Sequence, residues 1–76
     1  MEELVEYLAR NLVDQPDEVR VERTERDGAI VLELRVAPED VGKVIGRQGR
    51  VARALRTLVR ASGARSNERV LLEIVG

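Results

Sequence analysis

Val44-Ile45-Gly46-Arg47-Gln48-Gly49-Arg50-Val51 is the stretch that decides the fold, because it joins two amphipathic segments through a short turn. Residues 38–45 before it and 50–61 after it have the apolar spacing of helices. The two glycines flank a basic residue and an amide, and glycine adopts backbone angles that are closed to other residues. The stretch therefore predicts a tight loop between two helices, with a backbone that another chain can approach closely.

The segments on either side of this loop predict one further helix and three strands. Val5, Leu8 and Leu12 recur at helical spacing, and Pro16 ends that pattern. Asp27-Gly28 is a strong signal for a hairpin turn between two strands. The predicted elements are helices over residues 2–14, 38–45 and 50–61 and strands over residues 19–26, 29–36 and 70–75.

This order, α-β-β-α-α-β, predicts an α+β fold. The hairpin gives an antiparallel pair, and the helix pair before the last strand is long enough for a parallel crossover. A three-stranded mixed sheet with helices on one face is the expected solution. Val31 interrupts the alternation of Ile30, Leu32 and Leu34, so we expect the second strand to be central and largely buried.

The composition excludes several classes of function. There is no cysteine or histidine, which removes disulfides, thiolate metal sites and the commonest general base. We therefore predict that the chain is not an enzyme and that it has no cofactor and no metal site. No apolar run approaches the ~20 residues of a membrane span, and Met1-Glu2-Glu3 lacks the basic start of a signal peptide. A cytoplasmic location is the default expectation.

Charge is divided unevenly along the chain, although the net charge is only −1. Residues 1–40 contain 12 acidic and 5 basic side chains, whereas residues 41–76 contain 2 acidic and 8 basic ones. Seven basic residues and no acidic one occur between Val41 and Asn67. Such an asymmetry indicates that the second half meets a polyanion.

The helix after the loop has an apolar and a basic side at roughly 100° per residue. The predicted apolar arc consists of Val51, Ala54, Leu55, Leu58 and Val59. The predicted basic stripe consists of Arg50, Arg53, Arg56 and Arg60. A helix N-terminus attracts anions, and arginine offers planar paired donors to phosphate oxygens. Two plainer interpretations stay open: the glycines as helix caps, and the stripe as an ordinary solvated face.

The chain resembles a type II KH domain. The stretch from Val44 to Val51 is similar to the pattern V-I-G-x-x-G-x-x-I, although Val51 and Ala54 bracket the last aliphatic position. The segments EELVEYLARNLVDQPDEV and APEDVGKVIGRQGR resemble the small stand-alone bacterial KH proteins of the KhpA (YlqC) family. The resemblance covers residues 1–76 and implies a single type II KH domain.

The resemblance also implies a function and a set of contacts. The Gly46–Gly49 loop would clamp the backbone of single-stranded RNA, Val44 and Ile45 would line the groove beneath the bases, and two arginines would extend the phosphate contacts. The implied RNA-binding residues are Lys43, Val44, Ile45, Gly46, Arg47, Gln48, Gly49, Arg50 and Arg53. Modules that stack bases on aromatic platforms fit poorly, because Tyr7 is the only aromatic residue.

Family membership would make the protein an RNA chaperone in post-transcriptional regulation, linked to cell-wall homeostasis and cell length. The implied partners are a second copy of the chain, a larger KH protein of the KhpB (Jag) type, or both. Two alternatives stay open. The domain could be an interaction or dimerisation module whose partner supplies most RNA contacts, or it could be a ribosome-assembly factor.

Overall fold

Three strands form one mixed sheet with helices over one face in the computed structural model, which describes residues 1–76. The elements are α1 (Glu2–Arg10), β1 (Arg20–Arg26), β2 (Ala29–Arg35), α2 (Val41–Ile45), α3 (Arg50–Arg65) and β3 (Val70–Val75). The strand order is β1-β2-β3, with β1 antiparallel and β3 parallel to β2. The predicted α+β fold and its α-β-β-α-α-β order are confirmed.

The central strand β2 is the most buried element, as its sequence predicts. Ile30, Leu32 and Leu34 belong to the core cluster beneath the helices. Val31 points to the opposite face of the sheet, yet only 2% of it is exposed. The β1–β2 connection is the predicted hairpin turn, in which Asp27 and Gly28 have φ of 52° and 79°.

Helix α1 is shorter than predicted, because it ends at Arg10 and not near Asp14. The Asn11 side chain donates to the Tyr7 carbonyl, 2.8 Å away, at the end of the helix. The chain then leaves the helix axis, and the backbone N–H groups of Asp14 and Gln15 donate to the buried carboxylate of Asp40. This link to a distant residue ends the helix earlier than Pro16 alone would require.

Helix α3 is longer than predicted and is turned about its axis. It continues to Arg65, so the predicted end near residue 61 is wrong. Ala52, Leu55, Val59 and Gly63 form its buried face. Two members of the predicted apolar arc, Ala54 and Leu58, are exposed. The buried face includes the small residues Ala52 and Gly63. Their small size lets the helix pack closely against its neighbours.

Candidate nucleic-acid interface

Three of the four residues in the loop between α2 and α3 have a positive φ, which side chains normally avoid. Gly46 has φ 77° and ψ 172°, which is a region almost restricted to glycine. Gln48 and Gly49 follow with φ of 58° and 73°. The Gly49 N–H donates to the Gly46 carbonyl at 3.1 Å and closes the turn. The predicted tight loop is therefore present, with the side chains of Arg47 and Gln48 exposed at its tip.

The loop opens directly onto the first turn of α3. Gly49 is the residue before this helix and offers no side chain to its free N–H groups. Those groups are therefore available to an anion, which the positive end of the helix dipole also favours. The Gln48 Oε1 atom accepts a hydrogen bond from Arg50 Nη2 at 3.2 Å, so the amide holds that guanidinium beside the loop.

The two aliphatic residues before the loop have different surroundings. Ile45 is 37% exposed and lies at the end of α2 beside the loop. Val44 is fully buried and belongs to the core cluster. Val44 therefore supports the loop from the core, and its side chain is not exposed to a groove as expected.

Lys43, which is predicted to bind RNA, forms salt bridges with two aspartates instead of standing free. Its Nζ atom lies 3.1 Å from Asp14 Oδ2 and 3.8 Å from Asp40 Oδ1. The hydrogen bond to Asp14, followed by the charge of that carboxylate, raises the pKa of Lys43 above its usual value. Its charge is thus compensated within the protein, and it offers less to an anion than an unpaired arginine does.

Arginines in the two halves of the chain have different partners. Four of the five arginines before residue 40 form salt bridges with glutamates, and Arg20 donates to two backbone carbonyls. From residue 47 onward no arginine has an acidic partner within 4.0 Å. These seven unpaired arginines are Arg47, Arg50, Arg53, Arg56, Arg60, Arg65 and Arg69. The unpaired positive charge therefore begins at the loop and follows α3.

Part of this basic surface turns towards β3. Arg56 Nε lies 3.5 Å from the carbonyl oxygen of Leu72, and Arg56 and Arg60 line a cleft with the start of β3. Arg69, which immediately precedes β3, was not among the predicted contacts. The only feature of the sequence that could indicate Arg69 is its position as a basic residue just before a strand. Its proximity to Arg60 of α3 depends on the tertiary fold.

Neither a metal-binding cluster nor a membrane-spanning helix is found in the structure. No group of three or more aspartates and glutamates comes together in a way that could hold a metal ion. No helix combines the length and the apolar composition that crossing a bilayer demands.

Comparisons with known proteins give a consistent family. A family model described as KhpA/KhpB, KH domain, matches residues 2–74. The RNA-binding protein KhpA of Clostridium acetobutylicum is 52% identical over 75 residues, which are 99% of this chain and 100% of that protein. The protein of the same name from Treponema pallidum is 58% identical over 74 residues, covering 97% of this chain and 92% of the relative. The Aquifex aeolicus protein is 51% identical over 75 residues, covering 99% and 95%. No solved structure matches the chain.

Proposed function

Because the chain belongs to the KhpA/KhpB family of KH domains, we propose that it binds single-stranded RNA at the Gly46–Gly49 loop and along the basic face of α3. The observation that carries the proposal is the run of unpaired arginines, which starts at Arg47 in the loop. Its relatives are named for RNA binding and not for a reaction, in agreement with the prediction that the chain is not an enzyme.

Most of the proposed contacts are made to the sugar-phosphate backbone of the RNA, and fewer are made to its bases. Gly46 and Gly49 keep the loop free of side chains that would hold a sugar-phosphate chain at a distance. One phosphate then meets the N–H groups at the start of α3, and the guanidiniums of Arg47, Arg50 and Arg53 neutralise its neighbours. Ile45 offers an apolar surface for a base. Lys43 plays a smaller part, since Asp14 and Asp40 already hold its charge.

The wider role that follows from the family resemblance is also a proposal. We infer an RNA chaperone of the cytoplasm that takes part in post-transcriptional regulation of cell-wall homeostasis and cell length. A second copy of the chain or a larger KH protein of the KhpB type would be its protein partner.

A second candidate function is a dimerisation module whose partner supplies most of the RNA contacts. The observation in its favour is a set of large apolar side chains left exposed on the helices and just after α1. These exposed residues are Leu4, Tyr7, Leu12, Ile45 and Leu58. Leu58 lies beside Ala54 and Ala61 in a shallow apolar depression on α3, and a second copy of the chain would cover such a surface.

One double variant separates the two candidates. Replacing Arg47→Asp and Gln48→Asp puts like charges at the proposed clamp, so we expect binding of a single-stranded RNA to be lost by fluorescence anisotropy. The matched control is Arg65→Asp with Ser66→Asp, which changes the net charge equally at the far end of α3. We expect this control to bind RNA and both variants to keep the far-UV circular dichroism and oligomeric state of the wild type.

Unchanged RNA binding by the loop variant would refute the clamp and leave the dimerisation module as the better account. Equal losses in both variants would show that only the total charge matters.

A further inference from the structure

The outer edge of β1 is free of other strands. β1 is an end strand of the sheet, and β2 is its only hydrogen-bonded neighbour. Every residue of β1 is exposed except Val21, which is half-buried. An end strand presents a row of unpaired backbone groups, to which another strand can add.

The hydrogen bonds of the sheet show which residues of β1 form this row. The Ile30 N–H donates to the Arg69 carbonyl at 2.8 Å, so the even-numbered residues of β2 bond towards β3. The odd-numbered residues of β2 therefore bond towards β1, and the register places them opposite the even-numbered residues of β1. The N–H and C=O groups of Val21, Arg23 and Glu25 consequently point outwards.

The charges of β1 favour one way of pairing this strand with a copy of itself. A two-fold axis perpendicular to the sheet keeps the helices of both copies on one side, and only axes at Glu22, Arg23 and Thr24 let more than half of the strand overlap. The first two axes place Glu22 or Arg23 opposite its own copy, which is unfavourable. With the axis at Thr24, Glu22 faces Arg26 and Arg23 faces Glu25. Every charged residue from 22 to 26 then has an opposite charge across the contact.

The backbone can form the register that the charges favour. Arg23 and Glu25 turn their N–H and C=O groups outwards and lie opposite each other in this register, so they exchange both hydrogen bonds. Glu22 and Arg26 then form the pairs without hydrogen bonds, in which side chains lie closer together. The oppositely charged side chains of these two residues are thus held within reach of each other.

Ion pairs within each copy are compatible with this contact. Arg26 lies 2.7 Å from Glu73, and Glu22 lies 3.7 Å from Arg35. A guanidinium has five N–H donors and a carboxylate has two acceptor oxygens, so each of these groups can serve a second partner. Glu25 has no basic partner within 4.0 Å in a single copy and gains one in the pair.

We infer that β1 pairs with β1 of a second copy around a two-fold axis at Thr24, which joins the two three-stranded sheets into one sheet of six strands. Charged side chains usually protect an end strand from pairing, but they do not when the partner presents the opposite charges in register. A second copy fits better than an unrelated strand, because the segment from Glu22 to Arg26 is complementary in charge to its own reverse. The contact uses none of the exposed apolar residues of the helices and does not depend on RNA binding.

Two charge-reversal variants test the register. Arg23→Glu and Glu25→Arg each place like charges opposite each other twice in the symmetric pair, so each should weaken the dimer about tenfold. Mixed together, the two variants present only opposite charges to each other and should associate about as tightly as the wild type. The double variant Arg23→Glu with Glu25→Arg should also dimerise like the wild type. Sedimentation equilibrium at protein concentrations on the order of 100 µM measures these species, because so small a contact gives a weak dimer.

Two control variants separate this contact from other causes of association. Arg65→Glu changes the net charge as Arg23→Glu does, but at the end of α3, so the dimer should persist. Leu58→Ser removes the largest apolar side chain of the depression on α3, and the dimer should persist there too. Far-UV circular dichroism checks that each variant is folded.

The possible failures are distinguishable. A wild type that stays monomeric at these concentrations would overturn the inference. Loss of the dimer in Leu58→Ser would assign self-association to the helices and overturn it as well. Single variants that are weakened but do not associate when mixed would show that β1 does not pair in this register. None of these outcomes changes the proposed RNA binding, which the loop variant tests separately.

Discussion

Gly46 and Gly49 flank the same loop, but different physical constraints disfavour a larger residue at each position. A Cβ atom at Gly46 would come within 2.8 Å of Val51 Cβ, and closer still to its Cγ2 atom. At Gly49 the same atom would meet nothing within 4 Å, so only its φ of 73° disfavours a side chain. The motif in the sequence predicts both glycines, yet it cannot distinguish them, because the clash depends on where α3 begins.

The first prediction concerns this difference. Gly46→Ala should lower the free energy of unfolding by about 3 kcal/mol or more, because it adds a steric clash to backbone strain. Gly49→Ala should cost about 1–2 kcal/mol, the penalty of a left-handed conformation alone. Urea denaturation followed by circular dichroism measures both values. Equal costs would mean that Val51 moves aside easily and that the loop is less rigid than its geometry indicates.

At the scale of elements, Gly63 explains why the end of α3 was mispredicted. A glycine after an apolar helical pattern usually marks the end of a helix, so Ser62-Gly63 favours an end near residue 61. The structure continues the helix to Arg65 and buries Gly63 against the start of β3. A Cβ atom there would lie 2.7 Å from the Glu68 carbonyl oxygen. The residue serves close packing between α3 and β3, which no local pattern in the sequence reveals.

The second prediction compares this glycine with Gly42 in α2. Alanine is favoured over glycine inside helices by up to ~1 kcal/mol, and a Cβ atom at Gly42 would meet nothing within 4 Å. Gly42→Ala should therefore raise the midpoint of thermal unfolding. Gly63→Ala should lower it, because overpacking against a backbone oxygen costs about 1–3 kcal/mol. A stabilised Gly63→Ala variant would show that the contact between α3 and β3 is looser than described.

The buried carboxylate of Asp40 illustrates a second limit of sequence patterns. Pro38 followed by Glu39 and Asp40 favours a helix that starts at residue 38, but the structure has a single 3₁₀ turn there and α2 begins at Val41. However, Asp40 is 1% exposed and accepts hydrogen bonds from the backbone of Asp14 and Gln15. It thus ties the α1–β1 connection to the helix that leads into the loop. Lys43 joins the same cluster through its contacts with Asp14 and Asp40. The sequence pattern that predicts RNA binding by Lys43 does not reveal these contacts, because Asp14 is distant in the chain.

At the scale of the whole molecule, the two halves of the chain differ in net charge and also in whether their arginines have acidic partners. The counts of acidic and basic residues in the two halves were visible in the sequence. The sequence could not show that the arginines of the first half are bound by glutamates or backbone carbonyls, whereas all seven from Arg47 onward have no acidic partner. Strand pairing contributes to this, since the register of β1 against β2 places Glu22 within reach of Arg35.

The third prediction follows from this division of charge. If RNA engages about three or four phosphates, the logarithm of its affinity should fall against the logarithm of salt concentration with a slope of about −2 to −3. Arg50→Gln with Arg53→Gln should reduce the magnitude of that slope by about 1.4, because each phosphate contact on a single strand contributes about 0.7. Anisotropy titrations between about 50 and 200 mM KCl measure it.

The matched control neutralises two paired arginines, Arg23→Gln with Arg35→Gln, and lowers the net charge by the same amount. We expect its slope to equal that of the wild type, since these guanidiniums already face Glu2, Glu22 and Glu33. Equal changes in both double variants would mean that RNA responds to the total charge of the protein. A change confined to Arg50 and Arg53 would locate the phosphates beside the loop, where the unpaired charge begins.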